Sequence, residues 1–132
     1  MTYGSSVTMV SSFDATVAAV RQGLATQGFG VLTEIDVRAT MKAKLGADLE
    51  PYVILGACNP PLALRALTLD PSLGLLLPCN VVVRRTGEVT VVEAVDPAIM
   101  AAMSGDPALA AVAREAAERL AAVLAGLGAP TS

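Results

Sequence analysis

The chain contains two cysteines, and each is followed by asparagine, in Cys58-Asn59 and Cys79-Asn80. Cys58 stands where an apolar segment, Tyr52 to Ala57, gives way to Asn59-Pro60-Pro61, a run that caps and opens a helix. A thiol just ahead of a helix N-terminus has a lowered pKa, which favours thiolate redox chemistry or contact with a ligand. The competing reading makes both thiols small apolar fillers where backbones come close, with Asn59 simply a cap. Zinc takes four ligands and one chain supplies two cysteines, so no metal is expected unless a four-thiolate site is shared between two chains. Cys58, Asn59, Cys79 and Asn80 are thus the candidate ligand-binding or thiol residues, and neither a catalytic residue nor a cofactor is expected.

Other chemistry is thinly supported. Histidine and tryptophan are absent, which removes every Ser-His, Cys-His and His-metal arrangement. Glu34 and Asp36 project from the same face of one strand, where paired carboxylates divide acid and base roles if burial separates their pKa values. Nothing nearby supplies a nucleophile or a metal partner, and a solvated strand edge plus a helix cap accounts for them more simply. Gly28, Gly30 and Gly56 lack the spacing of a phosphate-binding fingerprint and read as turn residues. Arg84 and Arg85 read as solvated, and with Lys42 and Lys44 they make at best a weak anion patch.

Residues 3 to 10 alternate, with Tyr3, Ser5, Val7 and Met9 on one face, and predict a half-buried strand. Ser12 then caps a helix on which Phe13, Val17, Val20 and Leu24 recur at helical spacing until Gly28. Phe29 to Asp36 predicts a second strand, with Val31, Thr33 and Ile35 facing one way and Leu32, Glu34 and Asp36 the other. Asp36 caps a short helix whose apolar side carries Val37, Met41 and Leu45, closed by Gly46. After the strand Tyr52 to Ala57 and a helix to about Leu69, the turn at Asp70 to Gly74 leads into a hairpin. Its arms are Leu75 to Arg85 and Glu88 to Ala94, joined across Thr86 and Gly87. Pro78 cannot donate a ladder bond and predicts a bulge or an edge position before Cys79. Asp96-Pro97 and Asp106-Pro107 each open a helix, and the last helix carries a stripe of Leu109, Val112, Ala116, Leu120, Val123 and Leu127. This order implies an α+β layer structure with a largely antiparallel sheet, in one domain over residues 1–132.

Composition agrees with a filled globular domain: 132 residues, 54% apolar, 16% charged and only 3% aromatic. Nine basic against 12 acidic residues leave a net charge of −3, so no electrostatic footprint for nucleic acid or anionic lipid stands out. The longest uncharged stretch, Pro51 to Leu64, is 14 residues and is broken by Gly56, Asn59, Pro60 and Pro61, too short to span a bilayer. Residues 1 to 13 lack Lys and Arg and are rich in Ser and Thr, unlike a secretory signal. A cytoplasmic protein with reduced thiols is expected, with no membrane partner.

Three segments together resemble the bacterial and archaeal family called domain of unknown function 302. They are Gly28-Phe29-Gly30-Val31-Leu32-Thr33-Glu34-Ile35-Asp36, Ile54-Leu55-Gly56-Ala57-Cys58-Asn59-Pro60-Pro61-Leu62-Ala63 and Leu75-Leu76-Leu77-Pro78-Cys79-Asn80-Val81. The Phe13-Asp14 helix start and Val95-Asp96-Pro97 fit as well. The resemblance implies a two-layer β-α-β(4)-α arrangement similar to the TATA-binding-protein-like fold, usually as a homodimer, and implies no activity. DNA binding does not follow from that likeness, because function belongs to sites and this chain is acidic and poor in aromatics.

The strands at Tyr52 to Ala57 and Leu75 to Val83 are apolar on both faces. Helices cover one face of a two-layer sheet, and a soluble monomer rarely exposes a large contiguous apolar patch on the other. A homodimer, or a small apolar ligand on that face, is expected. The functional expectation is a dimeric small-molecule- or protein-binding accessory module without catalytic activity; the alternative is a thiol-dependent redox enzyme or redox sensor using Cys58 and Cys79.

Overall fold

The computed structural model describes residues 3–128. Five strands form one antiparallel sheet: β1 (Gly4–Met9), β2 (Gly30–Asp36), β3 (Tyr52–Cys58), β4 (Cys79–Thr86) and β5 (Val89–Val95), in the order β1-β5-β4-β3-β2. Five helices connect or close them: α1 (Phe13–Thr26), α2 (Val37–Leu45), α3 (Pro60–Leu69), α4 (Ala98–Ser104) and α5 (Pro107–Gly128). A 3-10 helix, Pro71–Leu76, lies between α3 and β4. The architecture is α+β.

Strand alternation sorts the sheet into two faces. Val53, Leu55, Val81, Val83, Val92 and Ala94 are buried against α1 and α5 in one core, which Val20 and Leu24 of α1 and Leu120, Val123 and Leu124 of α5 complete. The opposite face carries Tyr52 and Ile54 of β3, Val82 of β4 and Val91 of β5, all half-buried, and the exposed Ile35 of β2. Arg84 and Glu93 pair on it at 2.9 Å.

Helix starts follow the capping residues. The Ser12 hydroxyl accepts from the amide of Ala15, the Asp36 carboxylate from that of Ala39, and the Asn59 side chain from that of Leu62. Asp96 and Asp106 accept from the amides of Ala98 and Ala108, each at 2.9 Å. The two-residue turn of the β4–β5 hairpin is Gly87-Glu88, with Gly87 at φ +59°. Thr86 closes the ladder opposite Val89 instead of sitting in the turn, because the tight turn puts its positive-φ demand on the glycine.

Four further expectations need correction. The regular alternation of Val31, Thr33 and Ile35 fails, because the register shifts at Leu32: Val31 pairs with Ala57 and Thr33 with Gly56. One extra residue turns Val31 toward the core and Thr33 and Ile35 to the other face. The first hairpin arm begins at Cys79 and not at Leu75, because Asp70 caps the amide of Ser72 and winds Pro71–Leu76 into the 3-10 helix. Pro78 precedes β4, which is the central strand with unbroken register, so it makes neither a bulge nor an edge. In α2 no residue is buried, and Leu45 is 75% exposed.

Candidate functional site

Cys58 ends β3, Asn59 follows it, and Cys79 opens β4, opposite Ala57 in the ladder. The chain order strand, cap, helix delivers Cys58 and Asn59 to the same sheet end that Pro78 and Cys79 reach from the 3-10 helix. Beyond that end lies a second apolar cluster, Leu62 and Ala66 of α3, Leu73 of the 3-10 helix, and Leu109, Val112 and Ala116 of α5. Between the two sets of residues is a cavity of about 280 Å³. Phe29, Ala57, Cys58, Asn59, Pro78 and Cys79 line its sheet side, and α3, the 3-10 helix, Met100, Ala101 and α5 line the rest. Leu32 and Leu67, both exposed, also line it and stand at its mouth.

Both thiols are free and share this wall. Cys79 is buried and Cys58 half-buried. Burial pushes the Cys79 thiol up from 9.0 to about 11, with a smaller contribution from a charge on Cys58. Cys79 is accordingly protonated at neutral pH and a poor nucleophile. Asn59 spends its side chain locally: its carbonyl accepts from the Leu62 amide at 3.3 Å and its amide donates to the Gln27 carbonyl at 3.5 Å. Asn80 is exposed, pairs with Gly56 and does not line the cavity, because it points to the opposite face from Cys79. Three of the four candidate residues therefore meet, and Asn80 stands apart.

The other candidates are engaged structurally. Glu34 forms an ion pair with Arg21 and Asp36 caps α2. Both line a wide, open cleft of about 660 Å³ together with Asp14, Arg38 and Arg85. Arg84 and Arg85 are not simply solvated. Arg84 pairs with Glu93, while Arg85 donates to the Ser11 carbonyl at 3.2 Å and to the Thr90 hydroxyl at 2.9 Å, joining the start of α1 to β5. Lys42 pairs with Asp48 at 2.8 Å, so three of these four cations have partners of their own.

The sequence marks Leu109, Val112 and Ala116 as an apolar stripe but not as a cavity wall. Ala63, Ala66, Ala101 and Ala113 also line it, and alanine outside such a stripe reads as neutral helix filler. The available signal was the inward position of Ala66 and Ala116, where a packed core would place a larger side chain.

A five-stranded antiparallel sheet backed by α1 and α5, with an apolar cavity at one end, defines an α+β protein whose distinguishing feature is a hydrophobic hollow. The family described as Domain of unknown function DUF302 matches residues 5–127, and the chain belongs to it. It is similar to a solved uncharacterised conserved DUF302 protein from Bacillus stearothermophilus, at 32% identity over 96% of this chain and 99% of that one, with a TM-score of 0.89. No curated protein matches the chain. Among the described residues, no helix is long and apolar enough to cross a membrane.

Proposed function

We propose that the chain is a cytoplasmic, homodimeric accessory module without catalytic activity, whose cavity takes a small apolar molecule. The observation that carries this reading is the cavity of about 280 Å³ walled by alanine, leucine and two thiols. Ligand sites are concave, mostly apolar and few per protein. A dry apolar cavity of about half that size is enough to bind benzene.

Dimerisation is supported by the second sheet face. Ile35, Tyr52, Ile54, Val82 and Val91 share it, and covering each branched side chain contributes about 1.5 to 3 kcal/mol before the cost of association.

The test is native mass spectrometry of protein isolated from its own host. The expected result is a two-subunit species that releases a small molecule on activation. A bare single subunit at micromolar concentration overturns the reading.

Thiol chemistry is the second reading, favoured by the common cavity wall of Cys58 and Cys79. It is weakened by the raised Cys79 pKa. Thiols that react at neutral pH no faster than in denatured protein would end it.

A further inference from the structure

Resting on the proposed ligand-binding reading, we infer that the occupant is a neutral, hydrocarbon-like molecule of roughly ten carbons, recognised by shape and not through a charged head group. The size follows from the cavity, about 280 Å³, against the roughly 150 Å³ that accommodates benzene.

The neutrality follows from how the polar groups around the cavity are spent. No Asp, Glu, Lys or Arg is among its described lining residues. Asn59 lines it, but its oxygen accepts from the Leu62 amide and one of its two N–H groups donates to the Gln27 carbonyl, and the group carries no charge. The N-terminus of α3, which would ordinarily attract an anion, has nothing left to donate there. Pro60 and Pro61 carry no N–H, the Leu62 amide is capped, and the Ala63 amide donates to the Asn59 carbonyl at 2.8 Å. The arginines that flank the gap between α3 and α5 are also engaged: Arg65 with Glu115 at 3.4 Å, and Arg119 with Glu115 at 3.3 Å and with the Gln27 carbonyl at 3.1 Å. Arg119 Nε is buried without a partner, but Arg119 does not line the cavity. A carboxylate drawn inside would lose its hydration and meet no cation among the lining residues, only weak thiol donors and one amide hydrogen.

The experiment is displacement of the ten-carbon dye 1-aminonaphthalene, neutral at pH 8, by 1-decanol and by decanoate, on the full chain and on the cavity-filling variant Ala66→Phe. The expected result is 1-decanol binding at least about tenfold more tightly than decanoate, equivalent to about 1.4 kcal/mol, with displacement lost in Ala66→Phe. Decanoate binding as tightly as 1-decanol overturns the neutrality of the occupant while leaving the cavity a binding site. Binding by neither the dye nor 1-decanol overturns the ligand-binding reading and this inference with it.

Discussion

Two apolar regions of this protein draw on similar residue types and end differently filled. Between the sheet and α1 and α5, Val20, Leu24, Leu55, Val83 and Val92 all reach 0% exposure, each branched chain meeting another from the facing layer. Past the end of β3 and β4, the leucines of α3, the 3-10 helix and α5 face Ala66, Ala113 and Ala116, and about 280 Å³ stays open. The difference is one of side-chain volume, not polarity. A helix pair that puts alanine on its inward faces leaves a hollow that the rest of the chain does not fill, whereas a sheet face of valines closes on its helices.

Truncations should separate the two regions most sharply. Leu24→Ala in the filled core should cost about 3 to 5 kcal/mol in urea unfolding, since it opens a new void. Leu109→Ala, which enlarges a hollow already present, should cost about 2 to 3 kcal/mol, near the transfer contribution alone. Equal costs at both positions would break the comparison.

A pH series sharpens it next. Folding holds the Cys79 thiol at about 11 instead of 9.0, mainly by burial. The neutral thiol's contribution is fully present below pH 9 and is lost as pH rises through 11, because the unfolded chain ionises first. The loss should reach roughly 2 to 3 kcal/mol. Measured as the difference between the wild type and Cys79→Ala, it should vanish in the variant. A parallel pair of stability curves would mean that the thiol is not held away from water.

Additions should have the smallest effects and opposite signs. Val83→Leu overpacks the filled core and should cost about 1 to 3 kcal/mol. Ala66→Leu puts methyl groups into open space and should leave stability unchanged or raise it by up to about 1 kcal/mol in thermal unfolding. Destabilisation by both to the same extent would show that the second region has no usable space.

The layers of the fold were legible because hydrophobic period and capping residues agree. Ser12, Asp36 and Asn59 start helices where their side chains can accept amides, and Val53, Leu55, Val81 and Val83 alternate as a sheet between two environments requires. Where pattern and geometry parted, the cause was local. A bulge at Leu32 is invisible in a run that alternates cleanly, and Leu75 and Leu76 read as strand until the Asp70 cap draws them into a 3-10 helix.

At the site, Cys58, Asn59 and Cys79 were found because paired dipeptides and a strand-to-helix junction are sequence signals. The cavity itself was not, since an empty volume depends on which alanines face one another across separate elements. Adjacency in sequence groups Asn80 with Cys79, but strand alternation sends adjacent residues to opposite faces.

Fluorescence titration of wild-type protein and Ala66→Phe with 1-aminonaphthalene shows whether the hollow is a site. A binding hollow gives a saturable rise in emission at one dye per chain in the wild type, absent in a variant that unfolds at the same temperature or higher. No rise in the wild type, or the same rise in both proteins, would contradict it.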